Sequence, residues 1–118
     1  MDFDSIRKFC LSFSGAVEQV QWENHLLFKV GGKMFLIYNL DKTYPNRFSI
    51  KCTPENFGEL TERENIIPAP YLARNNWVNF KDGFRISAKE LKELIKESYE
   101  LVFEKLTKKI RLEIEKGH

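Results

Sequence analysis

Two short apolar runs, Leu26 to Val30 and Met34 to Asn39, meet at Gly31-Gly32-Lys33, and no other feature narrows the fold of this chain as much. Glycine adopts the positive φ that a tight β-hairpin turn demands, so the pair of glycines between two strand-like runs predicts a hairpin. Antiparallel pairing across either two-residue loop, Gly31-Gly32 or Gly32-Lys33, places Leu26, Phe28, Val30, Phe35 and Ile37 on one face of the sheet. Leu27, Lys29, Met34, Leu36 and Tyr38 then share the other. The first set is the expected core face, and the second is mixed in chemistry.

A hairpin alone is not stable, and the flanking sequence supplies what it packs against. Arg47-Phe48-Ser49-Ile50-Lys51-Cys52 alternates strictly, which predicts a strand with Phe48, Ile50 and Cys52 inward and Arg47, Ser49 and Lys51 outward. Thr53-Pro54-Glu55 reads as N-cap, first helical residue and first-turn acid of a short helix that buries Phe57 and Leu60. Earlier, Ile6, Phe9, Cys10 and Phe13 recur at helical spacing behind Asp2 or Asp4 as N-cap, and Ser14-Gly15 ends that helix. Ala16 to Asn24 has no clean period and reads as a connection carrying Trp22 toward the core. Ile66 to Tyr71, interrupted by Pro68 and Pro70, reads as an ordered loop leading to a strand at Trp77 to Phe80 and a turn at Lys81-Asp82-Gly83. Ser87-Ala88-Lys89-Glu90 has the form of a capping box. It opens a long helix with Leu91, Leu94, Ile95, Ser98, Leu101, Val102 and Leu106 toward the core, expected to run on to Lys116 and stop at Gly117.

The order α-β-β-β-α-β(β)-α, with short connections, predicts an α+β two-layer sandwich: an antiparallel sheet of four or five strands, a helix at each end of the chain and a short one between. At 118 residues and 42% hydrophobic content the chain suits one domain, residues 1–118, with one core. No apolar run approaches the roughly 18 residues that span a bilayer. The opening MDFDSIRKF lacks the basic start and apolar stretch of a signal peptide, so a cytoplasmic location is expected.

Catalytic chemistry finds little to build on. Cys10 and Cys52 lie far apart with no histidine at ligand spacing, so no metal site is expected and both read as buried, reduced thiols. His25 reads as a half-exposed strand-end residue, with no nucleophile elbow beside it. Gly31-Gly32 opens no helix and so is not a phosphate loop. The acids Glu90, Glu93, Glu97, Glu100 and Glu104 alternate with lysines as on a solvated helix surface. No enzyme activity, catalytic residue or cofactor is expected.

Charge is more informative by segment than in total. The net charge is only +2, yet Leu26 to Pro54 holds five bases (Lys29, Lys33, Lys42, Arg47, Lys51) against Asp41, a local balance of +4. Tyr71 to Arg85 holds Arg74, Lys81 and Arg85 against Asp82, a balance of +2. Outward strand bases ordinarily keep a sheet soluble and guard its edges. Gathered on one face, they also suit a phosphate backbone, with Tyr38, Tyr71 and Trp77 as candidate stacking or groove residues. Apolar Leu27, Met34 and Leu36 on that face suggest a third use, contact with a protein partner or a second copy of the chain.

Four stretches in register resemble one family. Phe28-Lys29-Val30-Gly31-Gly32-Lys33-Met34-Phe35, Lys51-Cys52-Thr53-Pro54-Glu55, Pro68-Ala69-Pro70-Tyr71-Leu72-Ala73-Arg74-Asn75-Asn76-Trp77-Val78 and Glu97-Ser98-Tyr99-Glu100-Leu101-Val102 are together similar to the MmcQ/YjbR family. The resemblance implies a CyaY-like or secretion-chaperone-like α+β domain with a double-wing DNA-binding motif, and it brings no catalytic residues. Many members carry His-x-Asn-Lys-x-His-Trp where this chain has Tyr71 to Trp77, so any role of those two histidines is in question here. The combined expectation is a non-enzymatic protein that contacts the backbone of duplex DNA through Lys29, Lys33, Arg47, Lys51, Arg74 and Lys81. The alternative is a protein-interaction or chaperone-like module that uses the outer sheet face, and an enzyme with an unrecognised site is the third option.

Overall fold

The computed structural model describes residues 1–117. In chain order the elements are α1 (Phe3–Leu11), β1 (Val17–Gln21), β2 (His25–Val30), β3 (Lys33–Asn39), β4 (Asn46–Lys51), α2 (Pro54–Leu60), β5 (Ile66–Pro68), a 3-10 turn (Ala73–Asn75), β6 (Trp77–Lys81), α3 (Ala88–Glu104) and α4 (Lys108–Lys116). All six strands form one antiparallel sheet in the order β1-β2-β3-β4-β6-β5. The α+β class and the layered arrangement are as expected, with one or two more strands than the sequence suggested.

Both added strands lie at the sheet edges. In β1, Val17 and Val20 are exposed and Glu18 turns to Arg7 of α1, with N–O distances of 2.7 and 2.5 Å, so no apolar alternation marks it as a strand. Trp22, at the turn after it, points to solvent and not to the core. Strand β5 is three residues long, and its edge position tolerates Pro68, which has no N–H to give to a ladder.

α3 packs on β2, β3 and β4, and the core lies beneath it. The row Tyr38, Phe48 and Phe80 crosses three neighbouring strands on this side, with ring centroids 5.9 and 4.6 Å apart. This assigns Tyr38 to the helix-covered side, contrary to the expected alternation. The cause is a bulge. β2 and β3 shift register between Phe28 and Lys29, with Phe28 opposite Leu36 and Lys29 opposite Met34, so Phe35 is an extra residue. Phe35 and Leu36 are therefore both buried in the core, and Ile37 moves to the open face. A docking surface that includes Leu36 is ruled out by the same shift.

The helices follow their caps. Asp2 caps α1 and Thr53 caps α2, each accepting the N–H three residues on, with Pro54 at the start of α2. α1 ends at Leu11 with Ser12 as C-cap, before the expected Ser14-Gly15. Ser87 caps α3 by accepting the Glu90 N–H, but the Glu90 carboxylate turns to Arg63, so the capping box is half made. The expected single C-terminal helix breaks after Glu104. Thr107 accepts the Ile110 N–H and starts α4 at Lys108. Cys10 and Cys52 are buried free thiols, each pushed by burial up to about 12, so both are neutral at physiological pH. No described helix is long and apolar enough to cross a membrane.

Candidate functional site on the open sheet face

The sheet face opposite α3 is crossed by an informative row of side chains. It joins Gln19, Leu27, Ile37, Ser49, Asn79 and Ile67 across all six strands. At its centre Asn79 Nδ2 donates to Ser49 Oγ at 2.8 Å, and both residues are buried. Asn79 Oδ1 and His25 Nδ1 are buried with no hydrogen-bond partner among the described residues. A groove of about 360 Å³ lies over this pair, with Met34 and Ile37 in its lining.

Its rims are two turns that hold aromatic residues in the left-handed region. Ala69-Pro70-Tyr71-Leu72 closes through the Leu72 N–H and the Ala69 carbonyl at 3.1 Å. Pro in the second position and φ of +66° at Tyr71 in the third fit a type II turn, whose third residue is ordinarily Gly or Asn. Across the groove, Trp22 and Glu23 have φ of +53° and +63° between β1 and β2, and the Trp22 ring meets His25 edge-on at 5.8 Å. Tyr71 is fully exposed and Trp22 is 60% exposed, so neither ring serves the core.

The predicted bases divide into three groups. Lys29 is on the open face of β2 and donates to Gln19 Oε1 at 2.7 Å. Arg47 is consumed by the fold: it bulges out of the β4–β6 ladder, pairs with Asp82 at 3.1 Å and donates to the carbonyls of Asn39, Asp41 and Tyr44. Lys81 is opposite Asn46, at that same end of the sheet. Lys33 and Lys51 come together at the other end, around a second pocket of about 280 Å³ that Asn75, Trp77 and Lys105 also line. Arg74 is exposed on the adjoining 3-10 turn.

Lys105 was missed by sequence reasoning, because it belongs to the C-terminal end of α3, far along the chain from the β segments. Lys33, Lys51 and Lys105 have no carboxylate within ion-pair distance among the described residues. Desolvation, and then the neighbouring Lys105 charge, lower the affinity of the Lys51 amine for its proton. Of the candidate stacking residues, Tyr38 is packed between Phe3 and Phe48, with burial raising its phenol pKa. Trp77 is only 5% exposed at the edge of the lysine pocket, so Tyr71 alone is open to solvent.

Comparison with known proteins agrees with this architecture. A Deinococcus radiodurans protein with a DUF419 domain, known from its crystal structure, is 30% identical with a TM-score of 0.82, covering 94% of this chain and 86% of that one. A Pseudomonas syringae protein of known crystal structure, 18% identical, superimposes with a TM-score of 0.69 over 86% of this chain and 99% of its own. At that identity it is similar in fold alone. No curated protein matches the chain. The family model named YjbR matches residues 11–101, from the end of α1 to the last turn of α3. This chain belongs to the YjbR family.

Proposed function

We propose that this chain is a cytoplasmic, non-enzymatic DNA-binding protein that holds the phosphate backbone of a duplex at the hairpin-tip end of the sheet. The observation that carries this reading is the gathering of Lys33, Lys51 and Lys105 around one pocket with no paired carboxylate among the described residues. Like charges brought together repel and destabilise a fold, so an unneutralised cluster favours an anion from outside. Arg74 on the neighbouring turn and Lys29 on the open face extend the contact. Arg47, whose guanidinium is engaged by its own turn, contributes nothing to it, and Lys81 is too far along the sheet to join the cluster. Phosphate contacts of this kind position a duplex and read little of its sequence.

The test is duplex affinity as a function of salt. Log K should fall against log salt by about 0.9 per neutralised phosphate, hence a slope near −3 for the three lysines and steeper if Lys29 and Arg74 engage. Lys51→Met should lower the slope by about one. The same substitution should raise the melting temperature at neutral pH. Because the folded pKa of Lys51 lies below its ordinary 10.5, the charged amine costs stability at pH 7, and this cost fades as pH rises through the folded pKa. The gain should stay below ~1 kcal/mol at so solvated a site. A chain that binds no duplex at low salt would rule out the proposal.

A further inference from the structure

Asn79 is not explained by folding. It occupies a strand interior at 6% exposure, where an apolar residue would pack as well, and it leaves a carbonyl oxygen unpaired beneath a groove. Its partner Ser49 accepts from Asn79 Nδ2, which leaves the hydroxyl proton free to donate. The floor thus offers an acceptor beside a donor, the complement of an amide N–H and C=O in a ring. Above it, Met34, Ile37 and Leu72 supply apolar contact, and the rims carry Trp22 and Tyr71, aromatic residues held at positive φ where glycine or asparagine would cost less. Such backbone strain, carried by exposed rings, is better accounted for by a ligand than by the fold.

We propose that this groove binds a planar heteroaromatic ring with a lactam edge, of the kind found in uracil, thymine and guanine. Asn79 Oδ1 accepts the ring N–H, the Ser49 hydroxyl donates to the adjacent carbonyl, and Trp22 or Tyr71 covers the ring. About 360 Å³ is at the lower end of small-molecule sites, the size suited to a base or nucleoside. No lysine lines the groove, and Arg47, which does, is held by Asp82 and by backbone carbonyls, so the proposal stands apart from the phosphate contacts above.

Fluorescence of the full chain tests it, because Trp22 is exposed at the rim and the other tryptophan, Trp77, is buried. Uridine should quench the emission saturably, and Trp22→Phe should abolish the response. N3-methyluridine, which lacks the ring N–H, should bind about ten-fold more weakly, as the loss of one buried hydrogen bond predicts. Ser49→Ala, with its fold checked by circular dichroism, should weaken uridine by a similar factor. Competition by oligothymidylate assigns the ring to an unpaired base in a strand; its absence assigns the ring to a free nucleoside. Absence of saturable quenching by uridine, or equal binding of N3-methyluridine, overturns the assignment.

Discussion

Ser98 shows how much a single side chain can hold. Its hydroxyl donates to the Phe35 carbonyl at 2.6 Å and accepts the Lys51 N–H at 3.0 Å, just where the β3–β4 ladder ends at Leu36 opposite Ile50. The serine is fully buried, so its loss strands a backbone donor and a backbone acceptor in a dry interior. Ser98→Ala should cost about 2–4 kcal/mol in urea denaturation, several times the effect of removing one oxygen from a helix surface. Helical spacing was enough to place Ser98 on the buried face of α3. Its partners, 63 and 47 residues away, were not legible, since no local pattern says which backbone groups a bulge leaves over. Asn79 follows the same logic. A strand was predicted there, but the unpaired oxygen depends on what stands opposite, in β4.

The β2–β3 hairpin makes the corresponding point for whole elements. Its existence and its turn follow from the sequence, but the facing of Leu36, Ile37 and Tyr38 does not, because one extra residue reverses every later side chain in the strand. The turn itself distinguishes its two glycines. Both have positive φ, +57° at Gly31 and +81° at Gly32. A Cβ on Gly31 would stand 2.6 Å from Leu106 Cδ1, in the link between α3 and α4, whereas one on Gly32 would meet nothing within 4 Å. Both alanine variants should carry the left-handed strain, about 1 kcal/mol. Gly31→Ala should lose a further 1–2 kcal/mol or so for overpacking, a difference that thermal melts of the two variants will read. The break between α3 and α4 was signalled by Thr107 as an N-cap, but the helical period on both sides concealed it.

Across the whole molecule, charged groups tie the layers together. Arg7 joins α1 to β1 through Glu18, and Arg63 joins the end of α2 to the start of α3 through Glu59 and Glu90. Hydrogen bonds from their arginines hold the Glu18 and Glu90 carboxyls below the ordinary 4.5. A depressed folded pKa adds stability that is complete above the unfolded value and is lost as pH falls through the folded one. Melting temperature should therefore be flat from neutral pH down to about 5 and decline below about 4.5. Glu90→Gln should lose less than ~1 kcal/mol at pH 7, given how solvated the pair is, and its deficit should close in the acid limb of a pH series.

By itself, the amino-acid sequence determined the α+β class, the helix starts at Thr53 and Ser87, the first helix start to within Asp2 or Asp4, the hairpin and the central strand from Arg47 to Lys51. Each of these rests on side-chain periodicity or on a cap within a few residues, and such local preferences act before any distant contact forms. The tertiary structure alone decided which bases remain uncompensated. Arg47 and Lys51 share a strand and a charge, yet one is neutralised by Asp82 just past β6 and the other is pressed against Lys105. It also decided that Trp22 and Tyr71, nearly fifty residues apart, rim one groove over Ser49 and Asn79. The reason is the same in both cases: electrostatics and groove shape depend on what lies across space, and a sheet brings together strands that the chain keeps apart.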